Sequence, residues 1–289
     1  MTDAATPGAA ADVGRPRGLL TAILRLAILF VLAGIVLLPL STTVLDGFKD
    51  LGELHDNPIG LPRVWLWSNY WGILTGQRYW QVLGNSLLIA VVTVFLTLVV
   101  SSMAAFAFAH IKFFGDRYLF AYFQLGLLFP AVTAFLPLFI KIRDLGLLDS
   151  YWGIILPQVA FSLSMAILLL RNAFKQLPAE LFDAALIDGC GYLGYFRHVT
   201  LPLSGPILST VGVVGFVGSW NSYLLPLVVL NSDSRYPWTL GLMAYQGQYS
   251  TSWQLVLAFI TLTILPAILM FLLAQRYIVA GLTAGAVKG

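Results

Sequence analysis

Three carboxylates, Glu180, Asp183 and Asp188, lie close together in the segment 171–203. Pro178 suits the first turn of a helix, and Glu180 and Asp183 then lie where the helix dipole favours negative charge. Small and apolar residues recur along this helix at spacings of three and four: Leu181, Ala184 and Ala185. Because a small-residue face with exposed acids allows another protein to approach closely and to make charged contacts, the segment predicts a docking surface.

The docking helix is expected to end at Gly189 and Gly191, since glycine commonly closes a helix. A second short stretch, Tyr192–His198, follows and ends at Leu201 and Pro202. The two stretches predict a compact projection of two short helices. A helix lying on the membrane surface is the alternative, but its acidic side chains would then face anionic headgroups.

Neutral polar residues interrupt the apolar segments of the chain and could form hydrogen bonds with an uncharged solute. The candidates are Asn85, Gln158, Ser219, Trp220 and Asn221. Hydrogen bonding between helices is the alternative role for most of them. Trp220 and Asn221 are the main candidates for contact with a solute or for a gate, because an indole ring can stack and an amide can pair with hydroxyl groups.

Other chemistry is not indicated by the sequence. A phosphate-binding loop needs a Gly-Lys-Ser/Thr sequence, and none of the five lysines follows a glycine. The three histidines and one cysteine are scattered, which gives no metal site. No arrangement of Ser, His and Asp suggests nucleophilic catalysis. We therefore expect a chain that is not an enzyme and that holds no metal or cofactor of its own.

The amino-acid composition indicates the class of protein to which these residues belong. Of the 289 residues, 59% are hydrophobic and only 10% are charged, with a mean hydropathy of +0.86. Average soluble proteins are about 25% charged. These values exclude a soluble globular protein, a disordered chain, a coiled coil and a nucleic-acid binder that works through a basic surface.

Six segments are long and apolar enough to cross a bilayer as helices, which needs about 20 residues. They are residues 19–45, 82–109, 118–140, 151–170, 204–230 and 253–275. Arg25 is the one charged residue inside them, so an intramembrane relay of acids is absent. The prediction is an all-α membrane protein whose transmembrane domain spans 19–275, with the docking loop 171–203 between the fourth and fifth helices.

The distribution of basic residues predicts the orientation. With the N-terminus inside, ten Lys and Arg residues lie on the cytoplasmic side and six outside, which agrees with the positive-inside rule. The segments 1–18 and 276–289 are then cytoplasmic tails. A cleaved signal sequence is the alternative for residues 19–45, but that stretch is too long for a signal peptide and no cleavage site follows it. The loop 46–81 is expected to form a lid packed on the helices.

The docking loop resembles that of the permease subunits of ABC importers. Their signature is Glu-Ala-Ala, three residues, Gly, nine residues, then Ile-x-Leu-Pro; here it reads Asp183-Ala184-Ala185, then Gly189, then Val199-Thr-Leu201-Pro202. Asp replaces Glu and Val replaces Ile, which preserves charge and shape. Pro178-Ala-Glu180, Ile187-Asp188-Gly189 and the tail 275–289 are similar to the maltose-type, carbohydrate-uptake branch.

The resemblance implies a multi-pass permease of the cell membrane whose docking helix is a coupling helix. That role falls on Glu180, Asp183, Ala184, Ala185, Asp188, Gly189, Leu201 and Pro202. The implied partners are a second, homologous permease in a heterodimer, two ATPase subunits that use ATP and Mg²⁺, and an extracytoplasmic sugar-binding protein, with no nucleic acid.

Two alternatives remain beside a sugar importer. The first is a permease for another neutral or phosphorylated solute. The second, from a different class, is an ion-coupled carrier or a channel. Which sugar is moved is decided largely by the separate binding protein and by a few residues that line the route, and the direction of transport follows from the resemblance alone.

Overall fold

The structure, a computed structural model, describes residues 17–247 and 250–286. Within these ranges no strand forms, and one isolated antiparallel bridge pairs Gln246 with Thr251. The helices are α1 (Arg17–Asp46), α2 (Leu51–Asp56), α3 (Trp67–Thr75), α4 (Gln77–His110), α5 (Asp116–Leu125), α6 (Phe135–Asp144), α7 (Trp152–Phe174), α8 (Ala179–Ile187), α9 (Tyr192–Tyr195), α10 (Leu201–Leu203), α11 (Gly205–Trp220), α12 (Leu224–Val229), α13 (Trp238–Gly241) and α14 (Trp253–Ala286).

Four stretches of helix in the described ranges are long and apolar enough to cross a membrane: Thr21–Asp46, Gln77–His110, Trp152–Phe174 and Trp253–Leu272. A fifth candidate is a bent pair, in which Tyr192–Leu203 meets Gly205–Trp220 at 76°. The prediction of an all-α membrane protein is confirmed. Helices α1 and α4 contain the predicted segments 19–45 and 82–109, and α7 begins at Trp152 and contains the rest of the predicted segment 151–170.

The predicted single helix 118–140 is wrong in detail, because the chain forms two helices there. Helix α5 ends at Leu125, a 3₁₀ turn covers Ala131–Ala134, and α6 begins at Phe135. Pro130 has no N–H to donate, and it disfavours helical backbone at the residue before it. Gly126 also lies so close to α7 that any side chain there would overlap Ser164 Oγ.

The predicted helix 204–230 is interrupted as well. Helix α11 ends at Trp220, and α12 begins at Leu224. Pro226 explains the break, since its ring would clash with the carbonyl of Ser222 in a continuous helix.

The last helix is longer than the predicted segment 253–275, because α14 continues to Ala286. The predicted tail 276–289 is therefore helical through residue 286, and residues 287–289 lie outside the described part. Of the predicted tail 1–18, residues 1–16 lie outside it.

The helices enclose apolar clusters at two levels. One joins α4, α7, α12 and α13 through Ile89, Ile154, Ile155, Val229 and Leu240. A second, at the opposite end of α4, contains Phe106, Leu170, Phe174 and Tyr195. Helix α1 packs against α14 at the edge of the bundle. The apolar window of α1 that could cross a membrane contains no buried residue.

The lid packs on the helices as predicted. Its Phe48, Tyr70 and Ile73 form one apolar cluster with Tyr79 of α4 and Phe259 of α14. Lys49, fully buried, donates from Nζ to Asp46 Oδ1 and to the carbonyl oxygen of Asn57, both at 2.6 Å. The buried charge is thereby paired, which is the condition under which a lysine is tolerated inside a protein.

Candidate functional site

The predicted docking helix forms and ends where glycine was expected to end it. Helix α8 begins after Pro178, with Glu180 in its first turn. Gly189 adopts φ +80°, a left-handed conformation that glycine takes without strain. The backbone N–H of Gly189 donates to Leu186 O, and that of Cys190 donates to Ala185 O at 2.8 Å. These bonds turn the chain back toward the membrane helices.

The second stretch is longer than the predicted Tyr192–His198. Helix α9 passes into a π-helical turn over Phe196–Thr200 and then into α10, which ends at Leu203. Pro202 has no N–H to donate to the carbonyl of His198, which agrees with the widened turn before it. The chain then bends by 76° into α11. Residues 179–203 are called the knob below.

An aromatic cluster joins the knob to the membrane helices. Phe182 and Tyr195, from the two halves of the knob, have ring centroids 4.9 Å apart. His110, the last residue of α4, lies 5.4 Å from Tyr195 and 6.1 Å from Phe182 between ring centroids. Ala185 is buried against the same cluster. The knob is therefore packed directly against the end of α4.

The opposite face of the knob is exposed and has no partner within the described residues. Glu180, Asp183, Ala184, Asp188, Gly189 and Pro202 are exposed, Leu201 is half-buried, and none of the three carboxylates forms an ion pair in the described part of the chain. Among the residues predicted for the coupling role, only Ala185 is buried.

Sequence reasoning missed the apolar part of this face. Ile187 is 85% exposed and Leu193 is 74% exposed. The periodicity of the helix could have indicated Ile187. Phe182 and Ala185 lie on the buried side of α8, and Ile187, two residues beyond Ala185, falls on the other side. Exposed apolar side chains beside unpaired acids are typical of a surface that binds another protein.

A cavity of about 380 Å³ lies between α4, α7 and α11, and we call it the Gln158 cavity. Its polar side chains are all uncharged: Thr93, Thr97, Gln158, Ser162, Ser219 and Ser222. Ser219 Oγ donates to Gln158 Oε1 at 2.6 Å, and Thr93 Oγ1 donates to the same oxygen at 3.3 Å. The predicted residues Gln158 and Ser219 are thus brought together at one site.

Thr93 and Thr97 of this cavity were missed from the sequence. They lie four residues apart on α4, followed by Ser101 at the same spacing. Residues four apart share one face of a helix, so this polar series in an otherwise apolar helix could have indicated them.

Trp220 does not line the Gln158 cavity, and its role as a solute contact stays a prediction. Its side chain is 3% exposed and stacks on Phe216, with 5.4 Å between ring centroids. Trp238 covers it on another side, and Trp238 Nε1 donates to the carbonyl oxygen of Trp220 at 2.7 Å. In this conformation the indole of Trp220 is part of the core.

Asn221 and Asn85 also lie outside the Gln158 cavity. Asn221 is exposed, and its Nδ2 donates to Val217 O within its own helix. Asn85 holds the loop after α12, since its Nδ2 donates to the carbonyl oxygens of Ser234 and Tyr236 while Oδ1 accepts from Tyr151. Asn85 therefore has the alternative role, which is hydrogen bonding between structural elements.

A further polar cluster joins two loops at the end of α7 away from the knob. Asp149, with φ +52°, accepts hydrogen bonds from the hydroxyl and N–H of Ser232 and from the N–H of Asn231. Arg235 Nη1 lies 3.0 Å from Asp149 Oδ2. These donors lower the pKa of Asp149 from 3.8 to about 2. We call this cluster the Asp149 latch.

Comparison with known proteins identifies the family of this chain. Residues 97–282 match the family described as the binding-protein-dependent transport system inner membrane component. The chain belongs to this family. The matched range contains the knob, every residue that lines the Gln158 cavity except Thr93, and the C-terminal part of α4 from residue 97, so the resemblance read from Asp183 to Pro202 is confirmed.

Relatives of this permease align over nearly the whole chain. It is 31% identical over 261 residues to the diacetylchitobiose uptake system permease protein NgcG of Streptomyces coelicolor, covering 90% of this chain and 86% of that protein. It is 37% identical over 262 residues to the arabinooligosaccharides transport system permease protein AraQ of Halalkalibacterium halodurans, covering 89% and 93%. The permease is accordingly a non-catalytic transport subunit of the cell membrane.

A solved structure supports the fold of this permease. The chain superposes with a TM-score of 0.79 and 23% identity on a chain from the crystal structure of a bacterial ABC transporter involved in the import of the acidic polysaccharide alginate. The superposition covers 93% of this chain and all of that one.

Proposed function

We propose that this permease forms one half of the transmembrane core of an ATP-driven, binding-protein-dependent importer of neutral sugars. A second, homologous permease supplies the other half, two ATPase subunits bind below, and an extracytoplasmic binding protein delivers the sugar above. The knob carries this proposal, because an exposed face of acids and apolar side chains is tied through His110 to the end of a membrane helix.

The proposed topology has six crossings with both termini cytoplasmic. Helices α1, α4, α7 and α14 supply four crossings, and the interrupted pairs α5 with α6 and α11 with α12 supply the third and the fifth. Interrupted helices are tolerated in membranes where they are covered by protein or line a cavity. Phe135 of α6 and Leu225 of α12 both lie at the wall of the Gln158 cavity, which supports this arrangement.

The knob is proposed to bind in a cleft of the ATPase subunit as a coupling helix. Glu180, Asp183 and Asp188 supply charged contacts, Ala184 allows close approach, and Ile187 and Leu193 supply apolar contacts. Ala185, Gly189, Leu201 and Pro202 hold the shape of the knob. ATP and Mg²⁺ act in the ATPase, and this chain converts closure of the ATPase pair into movement of the membrane helices.

Alternating access follows from the bend after the knob. When the ATPases close, the knob moves with them and pulls on α4 through His110 and on α11 through the bend at Ser204. These two helices form two walls of the Gln158 cavity, so their displacement changes which side of the membrane the cavity faces. The relatives named for diacetylchitobiose and arabinooligosaccharide transport support a sugar as the solute.

Reconstitution of the full transporter tests this function. The permease is co-expressed with a second permease, an ATPase and a binding protein of the same transport system, and uptake of radiolabelled N,N′-diacetylchitobiose and arabinotriose is measured in proteoliposomes. We expect uptake that requires enclosed ATP and is insensitive to a proton ionophore. Uptake without an ATPase that collapses with the proton gradient would instead identify an ion-coupled carrier.

Charge reversal in the knob tests the coupling surface. Asp183→Lys should reduce co-purification of the ATPase while membrane insertion stays normal, because the reversed charge opposes the partner surface. The matched control is Asp144→Lys, which reverses an exposed carboxylate at the end of α6. If the ATPase co-purifies equally well with both variants, the knob is not part of the coupling surface.

A further inference from the structure

The short loop that joins α4 to α5 presents an aromatic side chain between two cations. It comprises residues 111–115, and we call it the Phe114 loop. The side chain of Phe114 is fully exposed. Lys112 and Arg117, on either side of it, are also exposed, and neither forms an ion pair within the described part of the chain. None of the three belongs to the knob or lines the Gln158 cavity, so the proposed function leaves them without a role.

The loop is held from behind by a packed cluster. Phe113 turns inward, and its ring centroid lies 5.9 Å from that of Phe108 on α4. Phe108 also contacts Phe120 of α5, at 5.5 Å between ring centroids. Arg171 of α7 closes the cluster, since its Nε donates to the carbonyl oxygen of Phe108 at 3.2 Å and its guanidinium carbon lies 3.9 Å from the centroid of the Phe120 ring. The exposed ring next to Phe113 is therefore carried by a fixed hairpin of two helices.

The exposed apolar surface continues from the loop along α5. Phe114 is followed at helical spacings by Tyr118, Tyr122 and Leu125, which are 81%, 70% and 59% exposed. Residues three and four apart lie on one face of a helix, so these side chains form a stripe that starts at the loop. A contiguous exposed apolar surface of this kind is typical of a site that binds a protein or a membrane.

The position of the loop favours the membrane. The segments 82–109 before it and 118–140 after it contain no Lys, Arg, Asp or Glu, so Lys112 and Arg117 are among the first charged groups beyond the apolar segments. Five residues span at most about 18 Å when fully extended, and Gly115, with φ +82°, reverses the chain directly into α5. The loop therefore cannot extend far from the headgroup layer, in contrast to the knob.

The charges indicate which lipid fits. Ile111 packs in the same cluster as the knob, so the loop is cytoplasmic in the proposed topology. The cytoplasmic leaflet contains anionic lipids, which attract basic residues close to the membrane surface. Asp116 is the one acid beside the loop, and its Oδ1 accepts a hydrogen bond from the backbone N–H of Arg117. The two basic side chains therefore remain available for phosphate groups.

We propose that the Phe114 loop binds the headgroup of an anionic phospholipid in the cytoplasmic leaflet. Lys112 and Arg117 contact the phosphate, while Phe114 and Tyr118 insert among the upper acyl carbons, as aromatic side chains do at membrane interfaces. This inference rests on the proposed topology and goes beyond sugar transport. Because His110, two residues before Lys112, packs against the knob, the bound lipid fixes the membrane level of the helix end on which the knob rests.

Photocrosslinking in the complete transporter tests this site. The transporter is reconstituted in vesicles that contain trace amounts of phosphatidylglycerol or phosphatidylcholine with a diazirine on the same upper acyl carbon. Cross-linked peptides are then mapped by mass spectrometry. Each basic residue near the surface raises the affinity for anionic lipid about fivefold. We therefore expect the peptide that contains residues 111–118 to be labelled by phosphatidylglycerol at least tenfold more than by phosphatidylcholine.

Two pairs of variants separate charge from apolar insertion. The double variant Lys112→Gln, Arg117→Gln should lose the preference for phosphatidylglycerol, and the matched double variant Lys112→Arg, Arg117→Lys, which keeps both charges, should retain it. Phe114→Ser should reduce labelling by both lipids, and Phe114→Leu, which stays apolar, should restore it. All four substituted side chains of the charge pairs are exposed, so the complex should assemble normally, as gel filtration checks.

The outcomes distinguish this inference from the proposed function. Equal labelling by the two lipids, or a preference that survives the removal of both charges, overturns the inference. Labelling that occurs only after the ATPase is removed also overturns it, because the ATPase then covers the loop. A transporter that keeps the lipid preference but imports no sugar contradicts the proposed function alone. An epitope tag at the N-terminus that antibody reaches only from outside the cell contradicts the proposed topology, and the assignment to the cytoplasmic leaflet fails with it.

Discussion

Phe182 of α8 and Tyr195 of α9 pack edge to face, with ring centroids 4.9 Å apart and 76° between their planes. This contact makes the two halves of the knob one body, although Gly189 and Gly191 separate them in the chain. Tyr195 is 1% exposed and Ala185 is buried beside it. The same cluster reaches His110 at the end of α4, so the rigidity of the knob and its attachment to the membrane helices depend on the same side chains.

Phe182→Ala should uncouple ATP hydrolysis from transport. The substitution removes the ring that joins the knob to His110 and Tyr195 but leaves the exposed Ile187 and Leu193 unchanged. We expect the ATPase to co-purify, and the number of sugar molecules imported per ATP to fall. The measurement is the ratio of uptake to phosphate release in proteoliposomes. Leu186→Ala, on the same helix but half-exposed, is the control and should retain the wild-type ratio.

Gly189→Ala should weaken the knob through its backbone alone. Gly189 has φ +80° and no atom within 4 Å of the position a side chain would take, so the cost is conformational, about 1–2 kcal/mol for a residue with a Cβ atom. We expect lower ATPase co-purification and normal insertion. Gly191→Ala is the matched control, because Gly191 has φ −77° and equally open surroundings. If both variants bind the ATPase as the wild type does, the left-handed turn is not needed for coupling.

The knob could be predicted because its signals are local. Pro178, Glu180 in the first turn and Gly189 define a helix within about ten residues of sequence, and each acts through the backbone of its neighbours. The interrupted helices could not be placed in the same way. Pro130 and Pro226 were visible as prolines inside apolar segments, but proline in a membrane helix produces a kink or a break according to what surrounds it.

The Gln158 cavity was only partly predictable for a related reason. Gln158 and Ser219 were recognised as neutral polar residues, and their hydrogen bond across two helices depends on packing that no local pattern encodes. The burial of Trp220 was likewise not predictable from a local pattern. A tryptophan beside an asparagine indicated a solute contact, whereas Phe216, one turn earlier on the same helix, and the distant Trp238 bury it.

The Asp149 latch predicts a stable contact between its two loops over the physiological pH range. The pKa of Asp149 is lowered from 3.8 to about 2, so the carboxylate stabilises the folded loops fully above pH 4, and that stabilisation is lost as the pH falls toward 2. Hydrogen exchange of the 230–236 amides should therefore stay constant relative to a fully exposed peptide between pH 5 and 8.

Asp149→Asn should raise that exchange at every pH in the same range, because the amide accepts fewer hydrogen bonds than the carboxylate and cannot pair with Arg235. Asp233→Asn is the control. Its carboxylate is exposed and lies 3.5 Å from Arg78, and exposed ion pairs contribute little. Exchange in Asp149→Asn equal to that of the control contradicts the latch.

Trp220→Ala distinguishes a core residue from a solute contact. Trp220 is buried between Phe216 and Trp238 and lies outside the Gln158 cavity. Truncation of a buried aromatic side chain costs about 3–5 kcal/mol, so the thermal midpoint of the purified complex should drop, and Trp220→Phe should recover most of it. Uptake per folded complex should remain near the wild-type value in both variants. A Trp220→Ala complex that melts like the wild type but has lost uptake would place the indole in the solute pathway, since only contact with the solute could account for a loss of transport without a loss of packing.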